Sequence, residues 1–512
     1  MLKFRLCQKA MRVPPTISLF KPILAAIALC AWLCLLLPSL DRNRLQDVDE
    51  LWHARTAQIA AVDGHWWPLM LDGRPFFEKP PLVLWLAGAT AKASGQPQAA
   101  WPYRLWNTLG AALLLGSLIV LGFWADRFWG VLGATAWLAL QGDFIFHSRF
   151  FSMDTPFLGL AFAGVACLAL AVERGPRSKV WVAAGLLLAL AFWCKSWFVL
   201  ALAPALAGAL WLTVPAGQRQ KPAVKLLAPL AVAILAWLAL YTAWSGNGFL
   251  RQEWQANIAG RLAWGQTGGN PLEYYLSWAQ RSAPAVLVLA LMLPLGLWPR
   301  RSADPRQAFI QVFAWALSAS WLIGLLLVQV PTINYLLPLE AALALSLGLG
   351  LTENESTSVQ GLLALGLLLA SVAMQRWGPA WIYLALGGLL GLSLAWMRQR
   401  PGPRHPAGWL LKISALLLLC LQVPDAVGLC ARPLDSHREL AALLLAHEPA
   451  KAGDPLWAVG IPSRAVDFYS HYQVHHVDSL AAVPAGQAML YLGAKGLSFV
   501  PASENSQPLR HP

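Results

Sequence analysis

Runs of about twenty apolar residues recur along most of this 512-residue chain. A helix of that length covers the ~30 Å hydrocarbon core of a bilayer, and it satisfies its own backbone polar groups without water. Approximate spans fall at 22–40, 104–124, 128–145, 155–172, 180–194, 197–214, 225–244, 282–299, 307–329, 335–351, 359–375, 379–397 and 408–424. The expected fold class is therefore an all-α polytopic membrane protein with about 13 transmembrane helices. Composition agrees. The chain is 57% hydrophobic and 12% charged, whereas soluble domains hold roughly 45–50% apolar and 25% charged residues. The first run, 22–40, is too long for the apolar core of a signal peptide and is read as an uncleaved first span. The seven cysteines form no CxxC pair or disulfide framework.

The net charge of +13 raises nucleic acid as a partner, and the positions of the charges dismiss it. With the N-terminus inside and the spans alternating, the loops around 173–179, 219–225, 299–306 and 398–404 are cytoplasmic. About eighteen of the 38 basic residues then lie inside and about six lie in the short external loops. That asymmetry is the positive-inside bias of a multispanning membrane protein. The 27 tryptophans suit interfacial belts and an aromatic-lined cavity.

Two regions do not span. Residues 41–103 form an external loop with the densest acidic cluster, Asp41, Asp47, Asp49, Glu50, Asp63, Asp72 and Glu78. Within it, 49–62 and 80–93 read as helices lying at the interface. Residues 425–512 are more polar, with a helical stretch at 436–447 and strand-like pieces at 456–460 and 488–492. The expected organisation is a transmembrane body over 1–424 and a small external α/β domain over 425–512. His471, His475, His476 and Asp478 in that region read as surface residues, and neither His53 nor His65 reads as a metal ligand.

The external loop carries Asp49-Glu50, then Gly64-His65-Trp66-Trp67-Pro68, then Phe76-Phe77-Glu78-Lys79-Pro80-Pro81-Leu82. Arg149-Phe150-Phe151-Ser152-Met153-Asp154, Phe192-Trp193-Cys194-Lys195 and Asn334-Tyr335-Leu336-Leu337-Pro338 follow in order. In these motifs the chain resembles the glycosyltransferase-C class of lipid-linked sugar transferases, in the branch of the lipid A aminoarabinose transferase and the protein O-mannosyltransferases. The resemblance implies the glycosyltransferase-C fold. It also implies a hexosyl- or pentosyltransferase that takes a sugar from a polyprenyl-phosphate carrier to a lipid A, glycan or protein acceptor. The periplasmic face would hold the active site and the C-terminal domain. Asn334 stands where the family has histidine, so a divalent metal ion is left open.

The same residues support that chemistry directly. Breaking the glycosidic bond leaves negative charge on the carrier phosphate, and cations aimed there stabilise it. Lys79, Arg149 and Lys195 fall at external ends of helices and are the expected phosphate ligands. An attacking hydroxyl must lose a proton, and a carboxylate within reach can take it. Asp49, with Glu50 beside it, is the expected catalytic carboxylate. Where the acceptor is itself an ionised phosphate, no base is needed and Asp49 orients a substrate. Glu78, Asp154 and Tyr335 are the expected substrate contacts. Attack opposite the phosphate inverts the anomeric centre. The competing reading is a lipid-linked sugar flippase or small-molecule transporter. It would need ionisable groups near the midplane and commonly internal repeats, and none is evident.

Overall fold

The computed structural model describes residues 20–41, 45, 49–71, 73–245, 249, 251, 304–327 and 333–350. Toward the C-terminus it describes 444, 447, 454–459, 468, 473–477, 482–484, 487–493 and 496–502. The expected spans 282–299, 359–375, 379–397 and 408–424 lie outside the described residues, as do nearly all of the loop 245–281 and of the helical stretch 436–447. His471 and Asp478 lie outside them as well.

Among the described residues, six helical stretches are long and apolar enough to cross a membrane: 20–39, 101–124, 154–174, 180–213, 220–245 and 305–325. The helices in chain order are α1 (Phe20–Leu36), α2 (Asp49–Asp63), α3 (Leu82–Ser94), α4 (Trp101–Trp124), α5 (Phe128–Ala139), α6 (Gly142–Arg149), α7 (Asp154–Arg174), α8 (Val180–Lys195), α9 (Ala203–Thr213), α10 (Gln220–Ser245), α11 (Pro305–Leu327) and α12 (Leu337–Gly350).

The centre of the bundle is α7, packed between α4 and α8, with α10 outside α8. Between apolar helices in lipid, close packing replaces the hydrophobic drive, and small residues allow it. Gly110 of α4 and Gly159 of α7 meet at the crossing. A methyl group on Gly159 would collide with the Gly110 carbonyl, and one on Gly110 with the Pro156 backbone. The near approach places the N-terminal ends of α4 and α7 side by side.

Three expected elements differ. The run at 128–145 is two helices, because Gln141 is extended (φ −67°, ψ 137°) and caps α6; α5 alone has 12 residues, about 18 Å. The expected span 197–214 opens as a 3₁₀ segment, Ser196–Leu202, with Ser196 at φ +48°, and α9 alone has 11 residues. The two loop helices are present, but α2 is enclosed by protein rather than lying along one lipid-facing stripe. Glu50, Leu51, His53, Ala54, Thr56, Ala57, Gln58, Ile59, Ala60 and Ala61 are all buried. The cause is that α3, the short strand β1 (Met70–Leu71) and the 150–154 segment all press on it.

β1 pairs antiparallel with β2 (Arg74–Pro75). Toward the C-terminus, β3 (Pro455–Val459), β4 (Gln473–Val477), β5 (Ala488–Gly493) and β6 (Gly496–Val500) form one sheet in the order β4-β3-β5-β6. β3 runs parallel to β4 and β5, and β6 antiparallel to β5. His475 is stacked on Trp457 across the parallel pair and His476 is exposed. Phe468, fully buried, touches the Tyr103 ring at 5.5 Å, and its carbonyl accepts a bond from the Gln58 amide (3.1 Å). The sheet region is thus joined to α2 and α4.

Candidate active site at the helix ends

Asp49 and Glu50 are consecutive on α2 and face different surroundings. Asp49 is exposed in the first turn, where the helix dipole favours a negative charge. Glu50 is fully buried. One oxygen accepts from Arg104 Nε (2.7 Å) and from the Phe151 backbone N–H (2.9 Å), and the other accepts from Arg104 Nη2 (2.9 Å). Arg104 also donates to the Leu40 carbonyl (3.0 Å). This fork ties the turn after α1, α2, α4 and the 150–154 segment together.

That segment is also laced to α4. The Asn107 amide donates to the Ser152 carbonyl (2.9 Å) and to Thr155 Oγ1 (3.1 Å), and Thr155 donates back to the Asn107 carbonyl (2.9 Å). Thr108 donates to the Ser148 carbonyl (2.8 Å). The lacing holds Arg149 at the end of α6 and Asp154 at the start of α7, both buried. Arg104, Asn107, Thr108 and Thr155 are missed by the motif reading. Their signal in the sequence is a polar residue at the start of an apolar span, which also reads as an ordinary span boundary.

Lys195, the last residue of α8, forms an ion pair with Asp154. Its ammonium lies 4.2 Å from the centre of the Phe198 ring and 5.2 Å from that of Tyr335, within the range of cation–π attraction. Tyr335 is buried, and its carbonyl accepts from the Trp321 indole (2.7 Å). Lys195, Asp154 and Tyr335, expected separately from three motifs, form one group. Glu340 is buried in the first turn of α12.

Glu78 and Lys79 are half-buried. The Lys79 carbonyl accepts from the Tyr241 hydroxyl (3.2 Å). Around this bend Phe77 meets Tyr241, Trp244 and Phe249, while Trp67 meets Tyr241 and Trp85. An aromatic wall thus holds the Lys79 backbone against α10. His53 is the junction between the groups. It is buried on α2, its ring edge-on to Phe76 and Phe151, and it feels the charges of Lys79, Asp154 and Lys195. Burial first, and Lys79 next, hold its pKa down at about 3.

No group of three or more His, Cys, Asp and Glu side chains among the described residues is placed to hold a metal ion.

No protein-family model and no curated protein matches the chain. Solved structures do. ArnT from Cupriavidus metallidurans bound to undecaprenyl phosphate superposes with a TM-score of 0.62 at 19% identity, over 90% of this chain and 87% of that one. Its apo state gives 0.62 at 20% identity, over 90% and 86%. The apo oligosaccharyltransferase of Archaeoglobus fulgidus gives 0.51 at 12% identity, over 89% of this chain and 64% of that one. These proteins are glycosyltransferase-C enzymes, and the chain has their fold.

Proposed function

We propose that the chain is an integral membrane glycosyltransferase. It moves a hexosyl or pentosyl group from a polyprenyl-phosphate carrier to a lipid A, glycan or protein acceptor on the periplasmic face of a bacterial inner membrane. The observation that carries this reading is the gathering of Lys195, Asp154 and Tyr335 at one helix end, with Lys79, Asp154 and Lys195 all acting on His53. The likeness to an ArnT structure that contains undecaprenyl phosphate supports the choice of carrier.

On this reading Lys79, Arg149 and Lys195 face the carrier phosphate, and each charge-assisted contact contributes roughly 1.5–3 kcal/mol. Only the part that grows as the phosphate departs accelerates the reaction. Lys195 divides its charge between the phosphate and Asp154. The exposed Asp49 takes the proton of an acceptor hydroxyl, which attacks opposite the phosphate and inverts the anomeric centre. For a phosphate acceptor Asp49 orients the substrate instead. Glu50 has both oxygens engaged by Arg104 and Phe151, so we assign it to positioning rather than reaction. Glu78 and Tyr335 contact the sugar or the acceptor. The body spans 1–424 with the N-terminus in the cytoplasm. Residues 425–512 form a small periplasmic domain, a reading supported by its four described strands.

Transfer from radiolabelled polyprenyl-phosphate sugar in membranes holding the full chain tests this. Asp49→Asn should cut turnover by about 100-fold or more, the contribution of a positioned general base. Lys79→Ala should cost roughly 10- to 100-fold. Full activity in both variants would remove this site. Ion-gradient-driven uptake into vesicles without sugar transfer would favour the transporter.

A further inference from the structure

The end of α7 opposite Asp154 carries a group of cations that no acid neutralises. Arg174 closes α7, Arg177 and Lys179 stand on the turn to α8, and Lys221 lies in the first turn of α10. All four are exposed. From 174 to 252 the chain has no Asp or Glu. Glu173, beside Arg174, is engaged by Arg306 (3.2 Å), as is Asp304 (3.7 Å). Among the described residues none of the four cations has an ion-pair partner. The turn that presents them is pinned. Lys225 Nζ donates to the carbonyls of Pro176 (3.3 Å), Arg177 (2.9 Å) and Ser178 (3.3 Å), and the Trp181 indole donates to the Gly175 carbonyl (3.0 Å). The start of α10 is thereby stitched to the α7–α8 turn, and Lys221 lies one helical turn from Lys225 on the same face.

Each lysine heads an exposed apolar stripe. After Lys179, Val182, Leu186 and Leu190 recur every four residues along α8, at 37%, 53% and 43% exposure. After Lys221, Val224 and Leu227 on α10 are 62% and 55% exposed. The two helices pack directly on each other, since a methyl group on Gly185 would lie 2.5 Å from the Leu226 carbonyl. Both belong to stretches long and apolar enough to cross a membrane. The stripes therefore meet hydrocarbon, and the cations stand at the depth of lipid headgroups. The positive-inside bias explains basic residues in these loops. It does not require them to be gathered on a pinned turn above two alkyl surfaces. A soluble anion or an acidic protein would use the charges and leave the stripes idle. A phospholipid uses both.

We propose that this corner is a binding site for one anionic phospholipid, with the headgroup phosphate held by Arg177, Lys179 and Lys221 and the acyl chains laid along the α8 and α10 stripes. Arg174 adds to the field, and Lys225, spent on the turn carbonyls, keeps the shape. Basic pockets between spanning helices are a known form of headgroup recognition. A lipid seated here bridges α8 to α10 and stabilises the folded chain by mass action. The site stands apart from sugar transfer and is the same whichever side of the membrane this end faces.

The experiment is native mass spectrometry of the full chain in detergent, with thermal melts on the same samples. The probes are phosphatidylglycerol, cardiolipin, phosphatidylethanolamine with the same acyl chains, inorganic phosphate and a polyglutamate peptide. Phosphatidylglycerol and cardiolipin should bind about 10-fold or more tighter than phosphatidylethanolamine and should raise the melting temperature. Combining Arg177→Gln, Lys179→Gln and Lys221→Gln should erase that margin. Arg74→Gln with Lys92→Gln, which removes exposed cations elsewhere, should keep it within about twofold. Should the triple variant not fold, Arg177→Gln and Lys221→Gln singly should each weaken the anionic lipids by about fivefold. Inorganic phosphate and polyglutamate should raise neither the mass nor the melting temperature at concentrations where the lipids do. Equal binding of anionic and zwitterionic lipid overturns the proposal, as does a margin that survives the loss of these cations or falls equally in the Arg74 and Lys92 control. Inorganic phosphate matching the lipids would make this a soluble-anion site, and polyglutamate matching them a protein-docking surface, and either result overturns it too.

Discussion

Lys195 and Asp154 have side chains only 9% and 6% exposed, and each is tolerated there because of the other. Removing one partner leaves a buried charge without its counter-ion, which typically costs about 3–5 kcal/mol. Replacing both with apolar groups of similar volume is often neutral. Asp154→Ala should therefore lower unfolding stability in detergent by about 3–5 kcal/mol, and Lys195→Met combined with Asp154→Leu should regain most of it. Sugar transfer should stay lost in the double variant. A double variant that is stable and fully active would make the pair purely structural. The pair also marks the limit of motif reading. Each residue stood out in its own motif, Asp154 after Arg149 and Lys195 after an apolar run. Their contact spans 41 positions of sequence, and no local pattern encodes it. For Glu50 the sequence gives a carboxylate next to Asp49 and nothing to separate the two. What separates them is Arg104, 54 positions away, whose charge at a span boundary resembles an ordinary helix end.

Elements are placed by short interruptions as much as by long apolar runs. The stretch from Val180 to Thr213 holds two apolar runs that meet at Lys195-Ser196 with no loop between them, and the helix stops there. The stop matters because it leaves the lysine at a helix end beside Asp154 instead of within a wall of the bundle. Ser196 holds the turn at φ +48°, a region that L-residues with a side chain enter at a cost of order 1–3 kcal/mol. Glycine enters it freely. Ser196→Gly should raise stability by about 0.5–1 kcal/mol, since added freedom in the unfolded chain offsets part of the relief. A thermal melt of the variant in detergent measures this, and a lower melting temperature would mean that the Ser196 contacts outweigh the backbone. The break at Lys195 falls between the expected spans 180–194 and 197–214, whereas the one at Gln141 is hidden within 128–145 for one reason. Hydropathy registers composition over a window, whereas one extended or left-handed residue redirects the chain. The enclosure of α2 escaped for the opposite reason, because its neighbours come from distant segments and its own pattern carries little information about them.

For the whole molecule, the charge distribution orders the parts. The excess of basic residues lies in loops assigned to the cytoplasm, while Lys79, Arg149 and Lys195 fall at the other ends of the helices. The described fold agrees with that division in one respect. The outer end of α7 carries Asp154 and the Lys195 pairing, and its other end carries Arg174, beside the Lys225 contacts to the 176–178 turn. The multispan character was legible because hydrocarbon thickness sets a length that the sequence displays directly. Sidedness was legible only as a bias in charge, which makes it the property to measure. Cysteines placed at Arg74 and at Arg177, both exposed, sample the two sides in a chain whose seven natural cysteines are replaced by alanine. In cells with a permeabilised outer membrane, Arg74→Cys should react with a membrane-impermeant maleimide. Arg177→Cys should react only after the inner membrane is opened. The reverse pattern would invert the topology and put the Lys195–Asp154 end in the cytoplasm, where a different pool of acceptors would meet it. Labelling of both in intact inner membranes would mean that an even number of the three segments α4, α5–α6 and α7 cross it, which would undo the alternating topology on which the functional reading rests.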